Sequence, residues 1–291
     1  MEPLGLQNSI YTFEIAGKAL YTHLIERANM VVPNEKLGLI VDDPRLLVDN
    51  KTLNFLSQFG DLAMPPECTP EDLQVAPCFP LLDGGQIPLQ YPWHLLNVLD
   101  EILSNMTPRL ASDVTIEDGV EIEGNVTAES GTHIYSGAKL KGNIYLGADS
   151  MIGSNALVRG NVSLGPRSGV GFSSEVKNVL GLENTKIGPM AVIKDSLIEE
   201  NCMFAGTSRI SNYRLDEQEI DVMVAGEKVG TGRRQFGAIV GAGTTIGAEC
   251  LILPGRKIGP NSLVGPLVIV VRNIPAGKRV ELQQELRVSD L

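Results

Sequence analysis

The 291-residue sequence predicts a mainly β fold, in which a parallel β-helix over about residues 111–275 follows a small α/β domain over 1–110. Three observations support this prediction. An apolar residue recurs every six positions, a second and mostly smaller residue stands two positions before it, and the remaining positions are rich in Gly, Asn, Asp, Pro and Ser. A polar tail over 276–291, expected to be a short helix or an arm, completes the predicted organisation.

The main apolar row steps by six for twelve consecutive positions, slips by one at Ile187 and again at Ile198, and resumes at Val240. Between Ile210 and Val240 lies an excursion without repeats, over 211–237, in which 222–229 is typical of a hairpin. The row consists of Ile116, Ile122, Ala128, Ile134, Leu140, Leu146, Ile152, Val158, Leu164, Val170, Val176 and Leu182, then Ile187, Ile193, Ile198, Phe204 and Ile210, then Val240, Ile246, Ile252, Ile258, Val264 and Val270.

The geometry of a strand explains this pattern. Residues i and i+2 point to the same side, so each repeat sends one small and one large apolar side chain inward. Gly, Asn and Asp suit the corners, where the backbone φ is often positive. One coil of three repeats cannot bury its inner face alone, whereas a stack of coils can. The repeat therefore predicts stacked coils with ladders of equivalent residues in the core.

The first 110 residues carry a mixed pattern, which predicts a reduced α/β domain. Helical spacing of apolar residues indicates helices near 20–28 and 53–59, and 37–41 is a short apolar run of strand type. Several prolines over 61–92 indicate mostly loop, with a turn at Gly84 and Gly85. A helix is expected from Pro92 to about Asn105, with its apolar residues on one face.

Composition excludes several classes of function. The formal net charge is -11 and no run of Lys or Arg occurs, which argues against nucleic acid and anionic membranes as partners. No apolar stretch is long enough to cross a bilayer, and the N-terminus lacks the pattern of a secretory signal, so a soluble cytoplasmic protein is expected. The four cysteines lie far apart and only three histidines occur, so neither a metal site nor a disulfide framework is predicted.

Particular stretches resemble a known family. They are 175–178 (Glu-Val-Lys-Asn), 232–241 (Gly-Arg-Arg-Gln-Phe-Gly-Ala-Ile-Val-Gly) and 253–255 (Leu-Pro-Gly). With the repeat, they resemble hexapeptide-repeat transferases with a left-handed β-helix. The closer resemblance, from Phe13 to Pro275, is to the archaeal type of bifunctional sugar-1-phosphate nucleotidylyltransferase/amino-sugar-1-phosphate N-acetyltransferase, with a truncated N-terminal domain. Segment 92–96 resembles the helix that joins the family's two domains, and 15–20 the segment that opens a helix of its sugar domain.

The resemblance implies a ligand, an acyl donor and an assembly. The ligand is a sugar phosphate or nucleotide sugar, and the donor is acetyl-CoA. The assembly is a homotrimer with sites between adjacent chains, in which the excursion reaches toward a neighbouring chain. Sugar-phosphate contacts are implied at Arg159 and Lys177, with Glu175 in the same motif. Asn212 and Tyr213 also match the family's pattern. Arg233 and Arg234 have two interpretations: they hold a phosphate, or they pair with carboxylates of a neighbouring chain.

The sequence also departs from the family. The nucleotidylyltransferase half begins with a Gly-rich phosphate loop that is absent here, so no nucleotidyl transfer is expected. In the acetyltransferase half, Pro189 replaces the general-base histidine and Gln235 replaces a lysine. Val192 and Met203 replace a tyrosine and an asparagine.

These replacements leave no catalytic residue assigned. An amino group that attacks a thioester must pass its proton to a base, commonly a histidine with a pKa near neutrality, and proline cannot act as one. The remaining histidines do not replace it, because His133 is expected to point outward while His23 and His94 lie in predicted helices. Cys202 and Cys250 fall in the small inward row, which indicates core residues rather than nucleophiles.

Two hypotheses follow. The first is a sugar-phosphate acetyltransferase with a degenerate catalytic site. The second is a non-catalytic homologue that binds a sugar phosphate or serves as a subunit of an active relative.

Overall fold

The computed structural model describes residues 14–19, 78–80, 86–88 and 90–289. The helices expected near 20–28 and 53–59, the strand expected at 37–41, His23 and the turn at Gly84 and Gly85 lie outside these residues. In the described part of the chain, no helix is long and apolar enough to cross a bilayer.

The repeat region forms the predicted parallel β-helix. Two long parallel sheets run along it, and their strands pair in steps of mostly 17 or 18 residues, which is one coil of three repeats. This architecture is consistent with the left hand that the resemblance implies. The sheet of two-residue strands, called face A below, contains β6 Thr115–Ile116, β8 His133–Ile134, β10 Met151–Ile152, β12 Gly169–Val170, β14 Lys186–Ile187, β16 Met203–Phe204, β21 Thr245–Ile246, β24 Leu263–Val264 and β26 Arg279–Val280.

The second sheet covers two faces, because its long strands bend at a corner. Its strands are β5 Arg109–Leu110, β7 Glu121–Ala128, β9 Lys139–Leu146, β11 Leu157–Leu164, β13 Glu175–Gly181, β15 Val192–Ile198, β17 Arg209–Ile210, β20 Ala238–Val240, β22 Leu251–Ile252, β23 Arg256–Ile258 and β25 Ile269–Val270. The first half of β15 pairs with β17, whereas its second half pairs with β20. The first halves of the long strands define face B and the second halves define face C.

The inward rows form one continuous core, as predicted. Ile134, Leu140 and Ile152 and their equivalents in later coils are fully buried, and so are Cys202 and Cys250 in the small row. Ile116 and Ile122 are 41% and 39% exposed although they belong to the apolar row. They lie in the first coil, where no earlier coil covers them.

The predicted register is wrong at Leu180 and Leu182. Ser163 and Leu164 pair with Leu180 and Gly181, so the one-residue slip already occurs between Lys177 and Val179. Val179 therefore enters the core of the β-helix, while Leu180 and Leu182 belong to a second apolar cluster outside it.

The slip has a local cause at the corner between faces B and C. The earlier coils turn this corner with two residues, Gly-Asn, and the glycines have φ values of +116° at Gly124, +124° at Gly142 and +74° at Gly160. The later coils turn it with one residue of positive φ, Asn178 at +50° and then Asp195 at +46°. Asn and Asp tolerate this conformation better than other side chains, so the shorter corner is accommodated without glycine.

Face C is covered by the second cluster. A 3-10 turn at Pro92–His94 leads into helix α1, Leu95–Ser104, which confirms the predicted helix. The apolar side of α1 packs on Tyr145, Leu180 and Leu197 of face C. Burial of the whole apolar side of α1 fixes the helix to the β-helix, because the hydrophobic contribution scales with the apolar area removed from water.

Three short antiparallel strand pairs complete the described chain, and the first and the third are hairpins with described turns. They are β1 Glu14–Ile15 with β2 Lys18–Ala19, β3 Cys78–Pro80 with β4 Gln86–Pro88, and β18 Asp221–Val224 with β19 Glu227–Gly230. The third confirms the hairpin predicted in the excursion. The second forms where mostly loop was expected.

The first hairpin lies in the segment that resembles the opening of a helix in the family; Leu20 and the expected helix after it lie outside the described residues. Ala16 and Gly17 form its turn with φ values of +50° and +75°, and the Ala16 amide donates to Ser163 Oγ at 3.0 Å. Ile15 is fully buried in the second cluster.

The excursion and the tail are the last parts of the described chain. Ile220, Val222 and Phe236 of the excursion pack against their own chain in the second cluster. The expected reach of the excursion toward a neighbouring chain stays a prediction. Residues 281–289 form neither helix nor strand.

Candidate functional site

A column of cations runs along the outer side of face B. Lys141, Arg159, Lys177 and Lys194 occupy equivalent positions of β9, β11, β13 and β15, each paired in register with the next. Neighbouring strands lie about 4.8 Å apart, so four positive side chains are stacked at this spacing. Arg159 and Lys177 are the two contacts that the resemblance implies. Lys141 and Lys194 were not predicted.

Carboxylates neutralise part of this column. Glu123 binds Lys141 at 3.0 Å at its lower end. Glu175 bridges two cations: its Oε1 accepts from Arg159 Nε at 2.8 Å, and its Oε2 lies 2.9 Å from Lys194 Nζ. Partial burial alone would raise the pKa of Glu175, but the hydrogen bonds from Lys194 and Arg159 hold it below its ordinary value.

Lys177, the central cation, is the most enclosed. Its side chain is 18% exposed, and its Nζ donates to Gln235 Oε1 at 2.9 Å. The carboxylate of Asp195 lies 4.0 Å away and is 1% exposed. Gln235, which stands where the resemblance implies a lysine, thus contacts the predicted phosphate ligand Lys177 directly.

Asp195 organises the corner beside Lys177. Its carboxylate accepts one hydrogen bond from Asn178 Nδ2 at 2.9 Å and another from Asn212 Nδ2. Its backbone carbonyl accepts from the Gly237 amide at 2.8 Å. The buried carboxylate therefore joins two coils to the start and the end of the excursion.

Four of the five implied substrate contacts are linked by this arrangement: Arg159, Glu175, Lys177 and Asn212. The fifth, Tyr213, forms a backbone bridge with Gln235 and is 40% exposed. Desolvation and a hydrogen bond to Glu217 raise the pKa of its hydroxyl. The five residues therefore form one patch on face B and its corner with face C.

Arg233 and Arg234 lie apart from the column. Arg233 donates to Asn97 of α1, and it lies near Asp100 of the same helix. Burial raises the pKa of Asp100, while a hydrogen bond from Asn161 and the charge of Arg233 oppose this effect. Arg234 is exposed near Tyr213. Arg233 thus contacts its own helix, and both arginines remain a prediction as phosphate ligands.

The positions at which the resemblance implies a histidine, an asparagine and a tyrosine lie outside the cation column. Pro189 and Met203 both line a groove of about 410 Å³ on face A, together with Met151, Lys186 and Phe204. Val192 pairs with Glu175 on the adjacent strand of face B, next to the corner with face A. The groove and the cation column therefore flank the same corner, with Glu175 on the side of the column that faces Pro189.

The remaining titratable candidates are explained structurally. His133 Nε2 lies 2.8 Å from Glu117 Oε1, and its ring stacks on Tyr135. Burial lowers the pKa of His94, and burial raises the pKa of Cys202 to about 12, so that its thiol stays protonated near neutrality. Among the described residues, no group of three His, Cys, Asp or Glu side chains is placed to hold a metal ion.

Comparison with known proteins identifies relatives of this chain. No family model matches the chain. The bifunctional protein GlmU of Methanococcus maripaludis strain C7 is 44% identical over 208 residues, which are 72% of this chain and 50% of that protein. The bifunctional sugar-1-phosphate nucleotidylyltransferase/acetyltransferase of Sulfurisphaera tokodaii is 34% identical over 198 residues, 67% of this chain and 49% of the relative.

Among solved structures, the polySia-specific acetyltransferase NeuO is similar over 60% of this chain and 93% of its own, with 16% identity and a TM-score of 0.28.

The stacked six-residue repeats place the described fold among the β-helices of hexapeptide transferases. More particularly, the C-terminal part of the chain is homologous to GlmU-like bifunctional sugar-1-phosphate nucleotidylyltransferase/acetyltransferases. The chain spans about half the length of these curated relatives.

Proposed function

We propose that this chain binds an amino-sugar 1-phosphate on the cation column, as a member of the sugar-phosphate acetyltransferase group whose catalytic site is degenerate. Arg159 and Lys177 hold the phosphate together with Lys194, while Asn212 and Tyr213 border the sugar. The observation that carries the proposal is the stacking of these cations in register on three neighbouring strands. Like charges so close repel each other, and a bound dianion relieves this repulsion.

The acyl donor of this proposal is acetyl-CoA, a substrate rather than a resident group. The groove on face A is lined mostly by apolar side chains, with Lys186 at its edge. An apolar lining suits the acyl chain and thioester, and the lysine suits a phosphate of the donor. Pro189 stands beside both sites where the relatives' general base is expected, so transfer is expected to be slow.

Two measurements test the proposal: thermal stabilisation by glucosamine 1-phosphate, and thiol release from acetyl-CoA with a panel of amino-sugar 1-phosphates. We expect stabilisation with turnover far below that of an active relative. The double variant Pro189→His/Gln235→Lys is expected to raise turnover about 100-fold, the lower end of the contribution of a general base. Absence of stabilisation by every sugar phosphate would refute ligand binding, and wild-type turnover near that of the relative would refute the degenerate site.

The second candidate is a non-catalytic binding or partner subunit, and the chemistry of the groove favours it. Pro189 and Met203 both lack a group that accepts a proton from an ammonium. Stabilisation by sugar phosphate without turnover in either the wild type or the double variant would support this candidate over the transferase.

We further propose a homotrimer whose contacts involve face A. Met151, Phe172, Met190 and Met203 lie on face A or at its corner with face B and are 41–51% exposed, an apolar stripe of the kind found at interfaces. The expected mass in solution is three times the chain mass of 31.3 kDa. Met203→Glu is expected to produce monomers because it buries a charge at the interface. Leu215→Glu, at a 99% exposed position of the excursion, is the matched control. A monomeric wild type at micromolar concentration would contradict the proposal.

A further inference from the structure

Glu175 occupies the place where the proposed phosphate binds. Both of its carboxylate oxygens are engaged by the column: Oε1 contacts Arg159 Nη2 at 2.7 Å and Oε2 contacts Lys194 Nζ at 2.9 Å. These are two of the three cations assigned to the phosphate, and they lie on the strands directly before and after β13. A carboxylate within the protein thus makes the contacts that the ligand requires.

The two ion pairs of Glu175 are readily exchanged. The side chains of Arg159, Lys194 and Glu175 are 38%, 23% and 24% exposed, so solvent screens their attraction. A phosphate dianion carries twice the charge of the carboxylate and offers more acceptor oxygens to the same cations. It also meets Lys177, which lies between Arg159 and Lys194 in the column. Exchange of the carboxylate for a phosphate is therefore favourable.

The displaced carboxylate remains beside the ligand. Glu175 and Lys177 lie on the same side of one strand, about 7 Å apart along it. In the row of face B next to face A, Glu175 pairs with Leu157 on one side and Val192 on the other. Neither residue offers a charge that would hold the displaced carboxylate. The 1-phosphate and the 2-amino group are vicinal on an amino sugar, so a phosphate on the column brings the amine toward Glu175.

We propose that Glu175 is the internal counter-ion of the phosphate site: an incoming phosphate displaces it from Arg159 and Lys194, and the released carboxylate pairs with the ammonium group of the amino sugar. This inference rests on the proposed function. It makes Glu175 the residue that selects phosphates of amino sugars over phosphates of sugars without an amino group. The exchange involves no covalent step, so a binding subunit needs nothing more. In a transferase the ammonium must still lose a proton to a base before the amine attacks the thioester.

Binding of sulfate, followed by calorimetry at constant ionic strength, tests the competition. Glu175→Gln is expected to tighten binding about three- to tenfold, because two partly exposed ion pairs no longer compete with the anion. The matched control is Glu121→Gln, which removes the partner of Lys139 on the same face but outside the cation column and is expected to leave binding unchanged. Unchanged or weaker sulfate binding by Glu175→Gln would overturn the inference.

The pH dependence gives a second readout. The charged groups that face Glu175 are Arg159, Lys177 and Lys194, with Asp195 beyond Lys177. Sulfate stays a dianion between pH 6 and 4, whereas Glu175 gains a proton more readily once its cations are occupied. Its pKa is held below the ordinary value in the free protein by Lys194 and Arg159. Loss of these contacts on displacement is expected to raise this pKa, so that binding takes up a proton and tightens as pH falls. Glu175→Gln is expected to abolish this trend, and an equal trend in the variant would assign it to another group.

Selectivity is tested with glucosamine 1-phosphate and glucose 1-phosphate. The wild type is expected to bind the amino sugar about two- to fivefold more tightly, as one partly exposed ion pair provides, and Glu175→Gln is expected to bind both equally. Equal binding by the wild type would overturn the assignment of Glu175 to the ammonium. Failure of both proteins to bind sulfate and both sugar phosphates would refute the proposed function itself, a result distinct from binding that ignores Glu175.

Discussion

Replacement of Gly142 by alanine is expected to lower the free energy of unfolding by about 3 kcal/mol or more, through backbone strain and a steric clash. Gly142 has a φ of +124°, outside the region that residues with a Cβ adopt. A Cβ there would overlap the carbonyl oxygen of Gly160 and lie 3.0 Å from its carbonyl carbon and nitrogen. Because that obstacle is the backbone of the next coil, no side-chain movement relieves it.

Urea denaturation followed by circular dichroism measures this effect, and Gly226→Ala is the matched control. Gly226 also has a positive φ, +90°, but nothing lies within 4 Å of the place that an alanine methyl group would take. The control is therefore expected to cost about 1 to 2 kcal/mol, the penalty of a left-handed conformation alone. If the two variants were equally stable, close stacking of the corner glycines would not be a determinant of the fold.

The β-helix was predictable because its signal repeats. Each coil places a small and a large apolar residue inward, so an error at one position is corrected by the others. At Leu180 and Leu182 the redundancy failed, since Val179 and Leu180 are both apolar and either register gives an acceptable core. Val179 enters the core because the corner at Asn178 is one residue shorter than in the earlier coils. Leu180 and Leu182 lie outside the core, where helix α1 covers them. Contacts with α1 are not encoded in the repeat.

The candidate site was predictable in part. Arg159, Glu175, Lys177, Asn212 and Tyr213 were identified through the family resemblance, and the structure gathers them in one patch. Lys194 was missed because the repeat is recognised by its inward rows, whereas the column lies on the outer side and its spacing changes from 18 to 17 residues after Lys177. The contact of Gln235 with Lys177 spans 58 positions across the excursion, which has no period from which to derive it.

Lys177→Met is expected to weaken binding of glucosamine 1-phosphate at least thirtyfold, or about 2 kcal/mol, while the chain stays folded. The methionine keeps an apolar stem of similar length but removes the charge at the centre of the column. Of the three proposed phosphate ligands, Lys177 has the most enclosed side chain, and Glu175 does not neutralise it. Its loss also leaves Asp195 without its nearby cation, so the remaining field becomes less favourable to a phosphate.

Lys139→Met is the matched control for this experiment. Lys139 lies on the same face two coils earlier, in the column of Glu175 rather than in the cation column, and it pairs with Glu121 at 2.8 Å. Calorimetry at fixed ionic strength is expected to show wild-type affinity for the control, because it lies outside the proposed phosphate site. If both variants bound equally weakly, the ligand would be responding to the overall charge of face B. If Lys177→Met bound like the wild type, the phosphate would lie elsewhere, and the column would serve only to hold the coils together.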